Sequence, residues 1–166
     1  MATKIYLEEE TSITFGSNAT SDDVEWTTES LAGGSARQSD PHDLGAAPRA
    51  EMYRWRAYTQ TQGTSSAVGD TLDVYFTTSD DASRYDNDDT TGDKGVSSTD
   101  KLNNLHYAGS IIMDEVAADT EFVASGVVRL TSRYVAAVIH NNTSSTTTAD
   151  AEETKLVLTP LAYESQ

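Results

Sequence analysis

The sequence predicts an all-β fold, an antiparallel β-sandwich of the jelly-roll type with about eight strands and long polar loops. Short runs of alternating apolar and polar residues recur along the 166 residues, and turn-forming residues separate these runs. No stretch has the apolar spacing of a long helix. A chain of this length forms one ordinary domain, so we expect residues 1–166 to share a single core.

The first third of the chain carries the weaker strand signals. Residues 4–7, 11–15 and 23–28 are predicted strands. Residues 29–48 show no sustained periodicity and contain glycine, serine and two of the three prolines. This composition is typical of irregular structure, and we expect a long surface loop or arm there.

Two segments in the middle of the chain alternate most clearly. In 50–60, one face carries Tyr53, Trp55 and Ala57, and the other carries Met52, Arg54, Arg56 and Tyr58. In 71–78, one face carries Leu72, Val74 and Phe76, and the other carries Thr71, Asp73, Tyr75 and Thr77. A Gly/Ser-rich connection joins the two segments, which favours a hairpin with a long loop.

The remaining predicted strands span 109–115, 120–130, 132–141 and 154–163. The segment 120–130 turns one side to the core, namely Phe122, Ala124, Val128 and Leu130. Gly126 within it indicates a bulge or a close approach of another group to the backbone. Residues 132–141 are apolar on both faces, which is typical of a central strand. Ser98 or Thr99 is placed to cap a single helical turn before 109–115.

The net charge of −16, from 27 acids and 11 bases, limits the partners. Such a field repels phosphates, so we expect no binding to nucleic acid or to anionic membranes. The chain has no cysteine, which excludes disulfides, thiolate metal sites and cysteine nucleophiles. The N-terminal residues lack a basic start followed by an apolar stretch, so we expect synthesis in the cytoplasm without a signal peptide.

The acidic loop, residues 78–100, is the first candidate for chemistry. A helix–loop–helix calcium site beginning at Asp86 requires glycine at its sixth position and an acid at its twelfth, where this chain has Thr91 and Ser97. A looser oxygen cage remains open as an alternative, built from Asp86, Asp88, Asp89 and Asp93. We favour a solvated loop tip without a metal, and we expect no cofactor.

Catalytic signatures are missing from the sequence. The three histidines, His42, His106 and His140, match no zinc motif, and no nucleophile elbow or phosphate-binding loop is present. Ser39, Asp40, His42 and Asp43 lie close together in sequence, but a nucleophilic triad is normally assembled across a fold. We therefore expect that the protein is not an enzyme.

Candidate contact residues follow from the strand pattern. Arg54, Arg56 and Tyr58 share one face of a predicted strand in a strongly acidic protein. Either the arginines pair across strands with acids such as Asp73, or they contact another subunit. Tyr85, within the acidic loop, is either a contact residue or a ring lying over its own loop.

Four segments resemble virion structural proteins of tailed bacteriophages, above all the small head-decoration, or cement, proteins. They are TLDVYFTTSDD, STDKLNNLHYAGSIIMDE, TEFVASGVVRLTSRYVAAVIHNNT and KLVLTPL. The resemblance covers roughly residues 68–163. It carries no catalytic motif and rests on the order of these segments.

This resemblance implies a homotrimeric β-sandwich on the outer surface of a capsid. Such a protein bridges neighbouring subunits of the major capsid protein and stabilises the shell without a cofactor. An alternative function is a carbohydrate-binding or receptor-binding module of a phage tail or fibre. In that case aromatic residues would stack on sugar rings, the candidates being Trp26, Tyr53, Trp55, Tyr58 and Tyr85.

Overall fold

The computed structural model describes residues 5–17, 20–60, 66–87, 92–115, 120–150 and 153–165. Within this part, the chain forms twelve strands and one short 3₁₀ helix, η1 (Thr99–Asn104). In chain order the strands are β1 (Ile5–Glu9), β2 (Ile13–Gly16), β3 (Val24–Glu25), β4 (Ala36–Gln38), β5 (His42–Asp43), β6 (Met52–Gln60), β7 (Thr71–Ser79), β8 (Lys94–Gly95), β9 (His106–Ile112), β10 (Glu121–Arg129), β11 (Tyr134–Asn142) and β12 (Lys155–Ser165). No helix in the described part is long and apolar enough to cross a membrane.

The strands form two six-stranded sheets that pack face to face. Sheet A has the order β10-β6-β12-β2-β3, with β1 also paired to β12, and sheet B has the order β8-β4-β11-β7-β9, with β5 also paired to β11. Four strands in each sheet, β10-β6-β12-β2 and β4-β11-β7-β9, are antiparallel throughout. Their alternation between the sheets along the chain is that of a jelly roll, which confirms the predicted fold class.

The core lies between the inner faces of the two sheets. Both alternating segments turn their predicted apolar side inward, and Trp55, Leu72, Val74 and Phe76 are all buried. Their outward side chains are more exposed, except Thr77, which is also buried. The period-two pattern therefore identified the core face of both strands correctly.

Trp55 occupies a gap that two glycines leave open. A Cβ at Gly126 would lie 2.8 Å from Trp55 Nε1, and a Cβ at Gly109 would lie 2.8 Å from Trp55 Cζ2. Gly126 is directly opposite Trp55 on the neighbouring strand of sheet A, whereas Gly109 belongs to β9 of sheet B. The close approach predicted at Gly126 is confirmed, because only a residue without a side chain accommodates the indole there.

The outer face of sheet B is covered by its own loops and by η1. Leu102 of η1 packs on Ala36 and Val138, forming a second, smaller apolar cluster outside the sandwich. This cover explains why β11 is buried on both faces, as the sequence predicted for a central strand. Ser98 caps η1 by accepting a hydrogen bond from the backbone amide of Asp100, at 3.3 Å.

Two sequence predictions of local structure are wrong. The segments 50–60 and 71–78 do not pair as a hairpin, because β6 lies in sheet A and β7 in sheet B. Residues 29–48 are not simply a loop or arm, because β4 and β5 within them pair with β11. These two strands have only three and two residues, too few to show any periodicity in the sequence.

Candidate interaction surface

The outer face of sheet A brings the predicted contact residues into a regular array. On β6, Arg54 and Arg56 are exposed and Tyr58 is half-buried, all on the side away from the core. Pairing with β10 and β12 extends this side into four rows of three residues: Val123–Tyr58–Lys155, Ser125–Arg56–Val157, Val127–Arg54–Thr159 and Arg129–Met52–Leu161. We call these twelve positions the Arg/Val face.

The Arg/Val face combines exposed apolar surface with positive charge. Val123 is 44% exposed and Val127 is 56% exposed, and each lies beside a residue of β6 in the same row. Three arginines and one lysine belong to the four rows, and no acidic residue does. In a chain with a net charge of −16, this face differs in chemistry from the rest of the surface.

The cations at the borders of the face, Arg129 and Lys155, form ion pairs within the chain. Arg129 forms an ion pair of 2.7 Å with Glu51, and both side chains are largely exposed. Lys155 is buried and its Nζ lies 3.0 Å from Oδ1 of Asp22. Gly16 makes room for this pair, because a Cβ there would collide with the Asp22 carboxylate. Arg54 and Arg56 therefore provide the exposed charge in the middle of the face.

Asp73 is not a partner of these arginines, so cross-strand pairing with this particular acid is excluded. It lies on β7 of sheet B, whereas Arg54 and Arg56 lie on sheet A. Its Oδ1 accepts a 2.5 Å hydrogen bond from Ser110, and its Oδ2 lies 4.0 Å from Nδ1 of His140. The Asp73 carboxylate therefore interacts with neighbouring side chains on the outer face of sheet B.

Tyr85 lies apart from the Arg/Val face. It is only 5% exposed, and burial raises the pKa of its hydroxyl to about 12. The nearby residue Asn87 is also buried and donates a 2.7 Å hydrogen bond to Oε1 of Gln38. The acidic loop therefore packs back onto sheet B in this region, and the ring of Tyr85 is not available as a surface contact.

The two described carboxylates of the proposed oxygen cage are both bound by protein donors. Asp86 accepts hydrogen bonds from the backbone amide and the hydroxyl of Thr78, at 2.9 and 2.7 Å. Asp93 forms a 2.8 Å ion pair with Arg37 and also accepts hydrogen bonds from Thr27. Burial raises the pKa of Asp93, but the hydrogen bonds from Arg37 and Thr27 outweigh it, so the net pKa is lowered.

The other two cage candidates, Asp88 and Asp89, lie outside the described residues. Asp81 stabilises the turn before them by accepting hydrogen bonds from Ser83 and Arg84, which lower its pKa to about 2. Among the described residues, no three histidines or acids are arranged to hold a metal ion. The described part of the loop uses its carboxylates to fix local structure.

The aromatic residues considered for stacking on sugars are largely inaccessible. Trp26, Tyr53, Trp55 and Tyr85 are buried, and only Tyr58 is partly exposed. Tyr107 on β9 is instead exposed, and its ring packs at a tilt against Tyr75 with ring centroids 5.3 Å apart. Exposed sugar-stacking platforms are therefore scarce in the described part of the chain.

Sequence reasoning identified the cationic half of the face and missed the apolar half. Once Phe122 and Leu130 are assigned to the core side of β10, period two places Val123 and Val127 on the outer side. Their importance depends on which strand lies next to them. The pairing of β10 with β6, which places the valines beside the arginines, is a tertiary feature that periodicity does not contain.

Comparisons with known proteins give little further information. No protein-family model matches the chain, and no curated protein matches it. The chain is similar, at 12% identity and a TM-score of 0.32, to a crystallographic structure of the CBM22-1 and GH10 modules of endo-1,4-β-D-xylanase 10B from Clostridium thermocellum, complexed with xylohexaose. The match covers 95% of this chain and 28% of that structure's chain. A likeness this weak carries no argument about function.

Proposed function

We propose that this chain is a structural virion protein that decorates the outer surface of a phage capsid and stabilises it by bridging major capsid protein subunits. The Arg/Val face is the docking surface. It supports the proposal because it exposes two valines beside two arginines, with no acid in its four rows. Arginine and apolar residues together are typical of protein–protein contacts.

The charge distribution favours a defined orientation on the shell. A chain with a net charge of −16 is repelled by an acidic capsid surface unless it approaches through its cationic side. Arg54 and Arg56 therefore steer the Arg/Val face toward acidic groups of the major capsid protein. The acidic remainder of the molecule then faces the solvent and keeps particles apart.

Stabilisation of the shell requires no reaction and no cofactor. A protein that binds the assembled shell and not its separated subunits favours the assembled state by mass action. In a homotrimer, three copies of the Arg/Val face act together. Such linkage raises the total affinity without any new type of contact.

Co-sedimentation with phage heads that lack the decoration protein tests this proposal. We expect saturable binding of the wild-type chain and a higher temperature of genome release from the decorated heads. The double charge reversal R54E/R56E is expected to abolish binding, and V123S/V127S is expected to weaken it at least tenfold. Both sets of side chains are exposed, so the fold is expected to persist in both variants.

A matched control separates the face from net charge alone. R56E and R84E change the net charge equally, but Arg84 is exposed on the acidic loop and lies outside the Arg/Val face. We expect R84E to bind like the wild type. Equal loss of binding in both variants, or undiminished binding of R54E/R56E, would contradict docking through this face, and a wild-type chain that never sediments with heads would contradict the function itself.

A further inference from the structure

A cavity of about 950 Å³ opens at the end of the sandwich where β6 begins and β10 ends. One wall is the loop 44–50, which leads from β5 in sheet B to β6 in sheet A. The other walls are formed by the start of β6, the last residue of β10, the middle of β12 and residues just before and within β2. We call it the strap cavity. Its volume is at the upper end of the range of sites that bind small organic molecules.

The loop that closes the strap cavity is fixed at both ends. The backbone amide of Leu44 donates a 2.8 Å hydrogen bond to the carbonyl of Arg133, and Arg133 pairs with Asp43 at 2.6 Å. At the other end, the Tyr53 hydroxyl donates a 3.0 Å hydrogen bond to the carbonyl of Ala50. These hydrogen bonds hold the loop 44–50 in place over the cavity, so a ligand does not have to order the loop when it binds.

The lining is mainly apolar, with charged groups at its border. The apolar and small residues are Ile13, Leu44, Ala46, Pro48, Ala50, Met52, Tyr53, Pro160, Leu161 and Ala162. The polar and charged residues are Glu10, His42, Asp43, Arg49, Glu51 and Arg129. A mostly apolar cavity with a few polar groups is the usual composition of a site for an organic ligand.

Arg49 differs from the other two arginines at this end of the molecule. Arg129 pairs with Glu51 and Arg133 pairs with Asp43, whereas Arg49 donates to the backbone carbonyl of Thr131. Its Nε is buried and has no hydrogen-bond partner, and no carboxylate of the described residues forms an ion pair with it. A half-buried guanidinium that lacks an anion in an acidic protein is a ready site for a carboxylate.

We propose that the strap cavity binds a carboxylate attached to an apolar body, with the carboxylate on Arg49 and the body on the apolar lining. The carboxylate accepts hydrogen bonds from the guanidinium fork of Arg49. The apolar body packs between Leu44 and Leu161. Burial raises the pKa of the Tyr53 hydroxyl, and the nearby charge of Arg49 partly opposes this.

This carboxylate has two possible sources, a free small molecule or the carboxyl end of a polypeptide. Met52, Leu161 and Arg129 line the cavity and also form the last row of the Arg/Val face. A docked protein can therefore also place a carboxylate on Arg49. Binding of a small molecule to the isolated chain does not depend on the proposed function, so the two proposals fail separately.

Isothermal titration of the purified chain tests the strap cavity. The probes are octanoate with octanamide, and a hexapeptide of leucine and alanine with either a free or an amidated carboxyl end. We expect at least one acid to bind at least tenfold more tightly than its amide. Whichever acid binds more tightly identifies the source of the carboxylate. Equal affinity of acid and amide in both pairs, or no heat from any probe at millimolar concentration, would overturn the proposal.

Variants of Arg49 then locate the binding. R49Q is expected to weaken the acid about tenfold or more and to leave the amide unchanged, and R49K is expected to retain only part of the affinity because it lacks the fork. R84Q removes the same charge outside the cavity and is expected to bind like the wild type. A melting curve of each variant verifies that it is folded, and acid binding that is unaffected in folded R49Q would exclude Arg49 as the anchor.

Discussion

The two sheets present opposite kinds of outer surface. Sheet B is covered on the outside by η1, by the segments around β4 and β8, and by the acidic loop, so β11 is buried on both faces. Among the described residues, no comparable layer covers Val123 and Val127 on the Arg/Val face of sheet A, and both side chains are exposed. The outer face of sheet B is therefore covered by the chain itself, whereas the two valines on the outer face of sheet A are accessible to solvent or to a partner.

Polar side chains also fix irregular segments at the end of β11, where Asn141 lies on the same side of the strand as the core residues Ala137 and Ile139. Asn141 donates 2.8 Å hydrogen bonds to the carbonyls of Leu31 and Ser145, and its own oxygen accepts two from Thr143. Irregular segments cannot satisfy their backbone groups by sheet pairing, so buried side chains do it. Asn141 therefore satisfies backbone groups of the irregular segments that meet at this end of the sandwich.

Removal of Asn141 should produce the largest loss of stability. N141A removes four buried hydrogen bonds and leaves the backbone amide of Thr143 without its acceptor, and we expect the free energy of unfolding to fall by about 3 kcal/mol. Urea denaturation measures this. N142A is the matched control, since that neighbouring side chain is exposed, and it should change stability by no more than about 0.5 kcal/mol. Equal effects would show that the hydrogen bonds of Asn141 do not stabilise the fold.

Truncation of Leu102 should come next. L102A removes the apolar anchor of η1 from Ala36 and Val138, and we expect a loss of about 2–3 kcal/mol. Amide hydrogen exchange should then accelerate in η1 and leave β6 unaffected. Leu105 is only partly buried at the edge of this cluster, so L105A should cost less. A loss from L105A as large as that from L102A would mean that η1 is not anchored at Leu102.

Neutralisation of Asp93 should have a smaller effect that depends on pH. D93N weakens the contacts to Arg37 and Thr27, and we expect a cost of about 1–2 kcal/mol at pH 7. Because the folded pKa of Asp93 is lowered, its contribution is complete above the unfolded pKa of about 3.9 and is lost as the pH falls through the folded value. Wild type and D93N should therefore converge below about pH 4.

The control for this titration is D80N, which removes an exposed carboxylate of the acidic loop. D80N should follow the wild type across the whole pH range. A difference between wild type and D93N that persists unchanged to pH 2 would contradict the assigned role of the Asp93 charge.

Polar substitution of the two exposed valines on the Arg/Val face should have the smallest effect on stability. V123T/V127T changes two exposed side chains, and we expect the free energy of unfolding to stay within about 0.5 kcal/mol of the wild type. Thermal denaturation of the isolated chain measures this. A larger loss would mean that the valines stabilise the fold itself, and the contrast between the two outer faces would then disappear.

Sequence periodicity predicted the parts of this fold that are long and regular. The core sides of β6 and β7, the two-sided burial of β11 and the tight contact at Gly126 all followed from local pattern. The sheet to which each strand belongs did not, because β6 and β7 are neighbours in sequence but lie in opposite sheets. The hairpin prediction failed for this reason.

Only the cationic part of the Arg/Val face was predictable from the sequence. Arg54 and Arg56 stood out because cations are rare in this chain, whereas Val123 and Val127 acquire meaning only through the pairing of β10 with β6. Tyr85 resembled a contact residue in sequence but is buried, since the acidic loop packs back on sheet B. Arg49 could not be identified from the sequence. Among the described residues it lacks an acidic partner because the nearby acids Glu51 and Asp43 pair with Arg129 and Arg133, which only the tertiary structure shows.

The indole of Trp55 lies between Gly126 of sheet A and Gly109 of sheet B and so contacts both halves of the sandwich. A Cβ at either glycine would lie 2.8 Å from the ring, so the indole fills the space between the sheets at this point. Any separation of the two sheets therefore exposes this ring to water, and the environment of Trp55 reports whether the sandwich is closed.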